Sequence, residues 1–279
     1  MFLTQPDSLP TRPRRIISLV PSQTEMLHSL GLEEETIAIT KFCVHPPGWF
    51  SSKIRIGGTK ALDIDKIKEL NPDLVIANYE ENAKDQVEAI AADFPVWVTD
   101  VKTIRDALGM IRDIGKLTDK QSAAGELIRD IETSISRWQV VPRAKKSVKA
   151  AYLIWKDPYM TVGGDTFIHN MMNLAGFQNA FGWQERYPEV TADDIRESGC
   201  EVLLLSSEPY PFQEKHVIEL SAELPGVTVV TVDGEMFSWY GSRIKEAPSY
   251  FHKMWQEIES FVPGALIPDP SLFLQKLKK

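Results

Sequence analysis

A short apolar run followed directly by a helix-forming segment stands at residues 15–25, RIISLVPSQTE. The β-branched stretch Ile16–Val20 predicts a first β-strand. The amphipathic stretch Thr24–Leu30, closed by Gly31, predicts a helix, and Thr36–Thr40 predicts a second strand. Because a strand, a helix and a second strand follow in this order, the segment predicts a parallel α/β sheet.

The same alternation of short apolar strands and amphipathic helices continues along the chain. Helices are predicted at residues 64–70, 82–92, 166–175 and 192–198, and strands at residues 74–77, 96–99, 149–154 and 202–205. The two halves also match one another in order, since DKIKE at 65–69 and DDIRE at 193–197 each precede a break and a strand. We therefore expect an internal pseudo-repeat with an offset of about 128 residues, the spacing of Ile67 and Ile195.

A long helical pattern separates the two halves. Apolar residues recur at helical spacing from Thr103 to about Trp138, which predicts one long helix with a kink near Gly115. The predicted fold class is α/β, with two Rossmann-like parallel-sheet lobes joined by this single helix and a ligand cleft between the lobes. The expected boundaries are an N-terminal lobe at 14–102, a linking helix at 103–140, a C-terminal lobe at 147–262 and a tail at 263–279.

Composition places the chain among ordinary globular proteins. Of its 279 residues, 43% are hydrophobic and 25% are charged, which is enough for a full hydrophobic core. The 31 Lys and Arg residues against 39 Asp and Glu residues give a net charge of −8, so no nucleic-acid-binding surface is expected. Cys43 and Cys200 follow no metal-ligand spacing, so they predict neither a disulfide framework nor a zinc module.

The sequence gives no sign of a membrane span or of an export signal. No apolar run approaches the roughly 18 residues of a membrane helix, so the chain is not expected to span a membrane. Three arginines precede Ile16–Val20, but that apolar run is too short for a secretory signal. Two interpretations stay open at this point: a cytoplasmic location, or a signal removed before Met1.

Aromatic residues concentrate in the segments that follow the predicted strands. Open parallel sheets bind ligands beyond the carboxyl ends of their strands, so these segments are the expected binding loops. A cleft lined by aromatic rings with a few polar groups suits a large, flat, partly apolar ligand. Arg243 either neutralises an acidic group of that ligand or pairs with a neighbouring acid. The ligand-contact candidates of these loops are His45, Tyr79, Trp155, Tyr159, Phe237, Trp239, Tyr240 and Arg243.

Signals for catalysis and for direct metal binding are weak. The chain contains no phosphate-binding G-x-x-x-x-G-K-[ST] motif, no G-x-S-x-G and no H-E-x-x-H. Its five histidines are scattered, and Glu25, His45 and Asp165 form the one set that a cleft would bring together around a metal ion. We expect no catalytic residues, no metal ligands and no intrinsic cofactor.

Several motifs, taken in order, resemble one known family. They are residues 15–25, the Pro46–Pro47 loop, Ile56–Gly58, the segment LNPDLVIA at 70–77 and the long middle helix. Together they resemble the cobalamin- and siderophore-type substrate-binding proteins of ABC importers over most of the chain. The resemblance implies a non-enzymatic binding protein with a rigid linker helix, a modest closing motion and a metal chelate held between two lobes.

The resemblance also implies roles for individual residues. His45 stands where the cobalamin-binding relatives place an aromatic residue just before Pro-Pro, and Tyr187 stands at another aromatic position of the pocket. Because an imidazole could equally contact a different chelate, His45 weakens a strict cobalamin assignment. The relatives carry one acid near the start of a helix in each lobe that pairs with transporter arginines, and Asp65 and Asp193 occupy those places.

These observations lead to a ranked set of hypotheses. The first is a monomeric carrier that captures a corrinoid such as cobalamin, with a ferric siderophore as second choice, and delivers it to the membrane subunits of an ABC importer through both lobes. By resemblance it acts in the periplasm or cell envelope. The alternatives are a direct transition-metal receptor and a cytoplasmic corrinoid-handling protein or α/β enzyme, whose polar groups are Glu25, His45, Asp165 and Arg243.

Overall fold

The chain alternates strands and helices throughout, and the computed structural model describes residues 1–139 and 148–259. Its strands are β1 Ile16–Ser18, β2 Thr36–Ile39, β3 Ile54–Arg55, β4 Gly57–Gly58, β5 Ala61–Leu62, β6 Leu74–Asn78, β7 Val96–Thr99, β8 Val148–Leu153, β9 Phe177–Asn179, β10 Val202–Ser206 and β11 Thr228–Val232. Its helices are α1 Pro21–Ser29, α2 Pro47–Ser52, α3 Ile64–Leu70, α4 Lys84–Asp93, α5 Ile104–Leu117, α6 Gln121–Gln139, α7 Phe167–Ala175, α8 Ala192–Glu197, α9 Glu214–Glu223, α10 Glu235–Ser238 and α11 Ala247–Glu259. The predicted tail at 263–279 lies outside the described residues.

The chain divides into two compact units. The first contains Met1–Val101, Arg105–Ile131 and the short segment Trp239–Arg243. The second contains Lys102–Ile104, the described part of Glu132–Ser238, and the described chain from Ile244 onward. Three of the candidate residues, although late in the sequence, therefore belong to the first unit: Trp239, Tyr240 and Arg243.

The first unit is built on a five-stranded parallel sheet in the order β3-β2-β1-β6-β7. Its central strands, β1 and β6, are buried along their whole length. A strand that is covered on both faces is a nearly continuous run of apolar residues, whereas a strand with one exposed face alternates apolar and polar residues. For this reason the segments Ile16–Ser18 and Leu74–Asn78 are easily recognised in the sequence. The predicted strands of this unit are confirmed, with ends within two residues of their expected positions.

The second unit contains a four-stranded parallel sheet in the order β11-β10-β8-β9. Its first strand, β8, has β9 on one side and β10 on the other, as β1 has β2 and β6. The order β9-β8-β10-β11 in the second sheet therefore corresponds, strand for strand, to the order β2-β1-β6-β7 in the first sheet. This correspondence agrees with the expected pseudo-repeat. Ile67 of α3 and Ile195 of α8, the residues that aligned in sequence, are both buried where their helix leads into the equivalent strand.

The predicted single helix of the middle segment is wrong, because two helices stand in its place. Helix α5 ends at Leu117, and Asp119 adopts the left-handed conformation with φ of 56°. The N–H of Lys120 donates to the carbonyl of Gly115 at 2.7 Å, and the N–H of Asp119 donates to that of Lys116 at 3.3 Å. This pair of bonds is a Schellman motif, which satisfies the last carbonyls of a helix and turns the chain away from its axis. Helix α6 then begins afresh at Gln121.

Gly115 lets α5 and α6 approach closely, and its replacement is a test of this junction. A Cβ at position 115 would lie 2.5 Å from the Cβ of Ala124, whereas a Cβ at Gly109 of the same helix meets nothing within 4 Å. We expect Gly115→Ala to lower the free energy of unfolding by about 1–3 kcal/mol, the usual cost of overpacking. Gly109→Ala should raise it by up to about 1 kcal/mol, because alanine favours the helix. Urea unfolding measures both, and equal effects of the two substitutions would contradict the close approach.

Candidate functional site

The loops at the carboxyl ends of the parallel strands hold most of the candidate residues. We call residues 19–20, 40–46 and 79–83, together with Trp239–Arg243, the first edge. We call residues 154–166, 180–191, 207–213 and 233–234, which follow β8, β9, β10 and β11, the second edge. The first edge carries His45, Tyr79, Trp239, Tyr240 and Arg243, and the second carries Trp155, Tyr159 and Tyr187.

Trp239 is the centre of a stack of side chains at the first edge. The guanidinium carbon of Arg243 lies 4.7 Å from the centroid of the Trp239 ring, in cation–π geometry. The His45 ring meets the Trp239 ring edge-on, with 5.5 Å between centroids. Only 6% of Trp239 is exposed. Trp239 therefore holds His45, which is half-buried, at the edge of the sheet.

Arg243 is paired with an acid of the protein. Its Nη2 lies 2.5 Å from Oε1 of Glu25 and its Nε lies 3.1 Å from Oε2, so the contact is bidentate. Glu25 stands in α1, directly after the loop that follows β1. Of the two roles that the sequence left open for Arg243, the geometry supports pairing with a neighbouring acid.

Tyr240 forms a second link to an acid of the first edge. Its hydroxyl donates to Oε1 of Glu81 at 2.9 Å. Burial, and then the charge of Glu81, raise the pKa of Tyr240 well above its ordinary value, so the phenol stays protonated and acts as the donor. The loop that carries Glu81 is itself fixed, since the N–H groups of Glu80 and Glu81 donate to Oδ1 of Asn78 at 2.8 and 3.1 Å. Sequence reasoning did not name Asn78, the last residue of β6, or Glu81, in the loop that follows it, as candidates.

Tyr79 is the exposed aromatic of the first edge. It follows β6 directly, and 68% of its surface is open. Its backbone N–H donates to the carbonyl of Thr99 at 2.9 Å, which extends the pairing of β6 with β7 by one residue. The ring is therefore presented from a fixed backbone and has no packing role in the described structure. A side chain of this kind is available to contact a ligand.

At the second edge, Trp155 begins a column of aromatic rings that leads into the core. Trp155 is 42% exposed and meets Tyr210 edge-on at 5.6 Å between centroids. Tyr210 packs on Phe212 at 4.8 Å and on His216 at 5.5 Å, and the last two are buried. His216 accepts the backbone N–H of Gln213 through Nδ1 at 2.9 Å, so it caps the start of α9. Tyr210, Phe212 and His216 were not among the candidates named from the sequence.

Two loops of the second edge are joined by backbone hydrogen bonds. The N–H groups of Thr161, Gly163 and Gly164 donate to the carbonyls of Pro188, Arg186 and Gln184 at 2.9, 2.7 and 2.8 Å. Glycine is needed for this approach, because a Cβ at Gly163 would lie 2.5 Å from the carbonyl oxygen of Gln184. The joined loops form a stiff support for the aromatic side chains that they carry.

That support presents two aromatic residues. The half-buried Tyr187 lies under the Arg186 guanidinium, whose carbon is 5.7 Å from the ring centroid. Trp183 is 79% exposed, and its side chain makes no hydrogen bond or ring contact with the described residues. Sequence reasoning missed Trp183. The available signal was its place in the loop after β9, in the same region as Tyr187.

Two predicted contact residues pack against the core of the second unit, one of them fully buried and the other half-buried. Phe237 is fully buried and packs against Tyr152 and Phe251, with centroids 5.2 and 5.0 Å away, in the second unit. This placement gives Phe237 a packing role, so we leave it out of the proposed site. Tyr159 is half-buried and packs against the hydrophobic core of the second unit, which includes Leu203 and Leu205 of β10. Burial raises the pKa of its hydroxyl.

The two predicted docking acids occupy matching positions. Asp65 is the second residue of α3 and Asp193 is the second residue of α8, and both are exposed. Asp193 is bonded to Arg196 one turn later. An acid in the first turn of a helix is stabilising in itself, so this placement fits a docking role without requiring one.

No side-chain cluster of the metal-binding kind was found in residues 1–139 and 148–259, where three or more His, Cys, Asp or Glu were sought. Of the candidate set, Glu25 is held by Arg243, and Oδ1 of Asp165 accepts the N–H of Arg186 at 2.6 Å. The described helices likewise include none with the length and apolar character that crossing a membrane requires.

Two parallel-sheet units with aromatic loops at their carboxyl edges define a small-molecule binding protein. Residues 16–219 match the family model described as periplasmic binding protein, so the chain belongs to the periplasmic binding protein family. It is a non-enzymatic substrate-binding protein of the ABC importer type.

Individual relatives extend over most of the chain. A vitamin B12-binding protein of Pectobacterium carotovorum is 24% identical and covers 91% of this chain and 91% of its own length. A solved periplasmic vitamin B12-binding protein of Vibrio cholerae has a TM-score of 0.72 and 21% identity, covering 87% of this chain and 96% of its own. A solved periplasmic heme-binding protein of Roseiflexus sp. RS-1 has a TM-score of 0.73 and 20% identity, covering 85% and 95%. At these identities the solved structures show the fold alone.

The buried His216 predicts a pH-dependent stability. Burial lowers the pKa of His216, and the neighbouring Lys215 and Lys156 lower it further. As the pH falls through the ordinary histidine value near 6.5, the unfolded chain takes up a proton before the folded one does, so stability declines below neutral pH. His216→Asn keeps an acceptor for the Gln213 N–H but cannot titrate in this range.

We therefore expect the melting temperature of His216→Asn to fall less steeply between pH 7.5 and pH 5.5 than that of the wild type, whatever its starting value. His252→Asn removes an imidazole from α11 and is the matched control, which should keep the wild-type slope. Parallel slopes for wild type and His216→Asn would contradict the assignment of the effect to His216.

Proposed function

We propose that the protein captures a corrinoid of the cobalamin type and delivers it to an ABC importer. The observation that carries this proposal is the similarity to a vitamin B12-binding protein over 91% of both chains. A ferric siderophore is the second choice, because one solved protein of similar fold, from Saccharomonospora viridis, belongs to an ABC-type Fe3+-hydroxamate transport system. The ligand is cargo, and no resident cofactor is proposed.

The exposed rings of the two edges support a large, flat, partly apolar ligand. Tyr79 at the first edge and Trp155 and Trp183 at the second present aromatic surface that no neighbouring element covers fully. Tyr79 and Trp183 stand on backbone that hydrogen bonds hold in place. A binding surface ordered beforehand loses less conformational entropy when the ligand arrives. At the first edge, His45, in contact with Trp239, supplies a polar group beside the aromatic surface.

The other hypotheses receive less support. The enzyme alternative is set aside, because the family consists of substrate-binding proteins. The hypothesis of a direct transition-metal receptor has little support, because the described part of the chain contains no group of three or more His, Cys, Asp or Glu side chains that could hold a metal ion. Several relatives are named as periplasmic proteins or as a lipoprotein, so we propose action on the outer side of the cytoplasmic membrane.

We propose that Asp65 and Asp193 dock the protein on the importer. They stand at equivalent positions of the pseudo-repeat, so one acid is offered by each unit. Both side chains are exposed and carry charge at helix starts, where a partner arginine can approach them. A partner whose two subunits are alike would meet a matching acid on each unit.

Ligand titration tests the carrier function. Cyanocobalamin, hemin and ferrichrome are added to the protein, and intrinsic tryptophan fluorescence and melting temperature are followed, because binding to the folded state raises apparent stability. We expect cyanocobalamin to give a saturable change and to be recovered unaltered. Trp155→Ala and Tyr79→Ala should each weaken its binding by about 1–3 kcal/mol, the scale of losing an aromatic anchor. Ile218→Ala, at a comparably exposed apolar residue of α9, is the control and should bind normally.

Absence of binding with every member of the panel would refute the chelate carrier. If Trp155→Ala and Tyr79→Ala both bind with wild-type affinity, these two rings do not contact the ligand.

Charge reversal tests docking. Asp65→Lys and Asp193→Lys should each reduce ligand-dependent stimulation of the importer's ATPase in proteoliposomes, and the double variant should abolish it, while ligand affinity stays unchanged. Asp85→Lys reverses an equally exposed acid in the first turn of α4 and serves as the control. Full stimulation by the double variant would exclude these two acids as docking residues.

A further inference from the structure

The second edge carries a surplus of negative charge. Its loops, residues 154–166, 180–191, 207–213 and 233–234, contain six acids and two bases. The acids are Asp157, Asp165, Glu185, Glu189, Glu208 and Asp233, and the bases are Lys156 and Arg186. The formal balance of these loops is therefore −4, against −8 for the whole chain.

Both bases of the second edge are engaged by the protein. The Nζ atom of Lys156 lies 2.6 Å from each carboxylate oxygen of Glu219, an acid of α9. The Arg186 guanidinium lies over the Tyr187 ring. An anionic group of a ligand would have to compete with Glu219 for Lys156.

Three of the acids face solvent. Asp157, Glu185 and Glu189 are exposed, and their carboxylates make no hydrogen bond or ion pair with the described residues. Two of them stand two positions after an exposed indole, Asp157 after Trp155 and Glu185 after Trp183. The exposed indoles of this edge are thus close in sequence to carboxylates that form no ion pair with the described residues.

We propose that the second edge selects its chelate by charge, accepting neutral or cationic chelates and rejecting those with peripheral carboxylates. This inference rests on the proposed function and specifies its substrate class. Ring stacking on Trp155 and Trp183 attracts any flat chelate, whereas Asp157, Glu185 and Glu189 repel only those that bring negative charge. Cyanocobalamin is neutral overall and carries primary amides instead of carboxylates around its ring, with its one phosphodiester balanced by the cobalt centre, whereas hemin brings two peripheral propionates.

Cobalamin and its monocarboxylic acids form a matched ligand pair for the test. Each monocarboxylic acid differs from cyanocobalamin by one amide hydrolysed to a carboxylate, so size and stacking surface are kept. At about 0.02 M salt, where screening is weak, we expect the monocarboxylic acids to bind about threefold to tenfold more weakly than cyanocobalamin. The difference should shrink at about 0.5 M salt, because the charges act across solvent.

Removal of the three acids should erase the discrimination. The variant Asp157→Asn, Glu185→Gln, Glu189→Gln should bind cyanocobalamin as the wild type does and bind the monocarboxylic acids nearly as well. The control variant Glu132→Gln, Glu197→Gln, Glu246→Gln removes the same charge from exposed positions outside the second edge and should keep the wild-type ratio.

The outcomes separate the two proposals. Equal affinity of the wild type for both ligands, or an equal change of the ratio in both triple variants, would overturn the charge selection alone. Failure of every corrinoid and every ferric chelate to bind would overturn the proposed function, and this inference with it.

Discussion

Parallel strand pairing is the constraint on which the rest of this structure depends. Because every pair in the two main sheets is parallel, each strand must be followed by a crossover, and all post-strand loops of a unit meet at one edge. Strands β1, β6 and β10 are buried along their whole length, and β8 is buried at every residue except Lys149. Binding residues from distant parts of the chain come together at each edge as a consequence of this topology.

Polar contacts, rather than core burial, set the geometry of the first edge. The pairs Glu25–Arg243 and Glu81–Tyr240 each join residues more than 150 positions apart in sequence. Trp239 lies between Arg243 and His45, so the charge pair and the aromatic stack support one another. An arginine that is already paired, and a tryptophan that is already covered, are positioning residues. At this edge, we expect the ligand to contact the groups that these residues position, such as His45.

At the second edge, backbone hydrogen bonds and a buried histidine, rather than ion pairs, hold the aromatic side chains in position. Its loops are joined through backbone hydrogen bonds that only Gly163 and Gly164 permit, and its aromatic column is anchored on the buried His216. Rigid backbone under exposed Trp183 and Trp155 gives a surface that needs little ordering when a ligand binds. Stacking on these rings does not discriminate between flat chelates. In the proposal, the carboxylates near the rings do so, because they repel chelates that carry negative charge.

The α/β class, the internal repeat and the strands β1, β2, β6, β7, β8 and β10 were predictable from the sequence, because buried parallel strands and amphipathic helices leave a local periodicity. The strands β3, β4, β5, β9 and β11 and the helices α2 and α9–α11 were not predicted, since they are short or lack that pattern. Family resemblance narrowed the function to a substrate-binding protein. The burial of Phe237, the pairing of Arg243 with Glu25 and the exposure of Trp183 became known from the three-dimensional structure, because burial and pairing depend on residues far away in sequence. The break after Leu117 also escaped prediction, because an apolar stripe continues on both sides while Asp119 alone turns the chain.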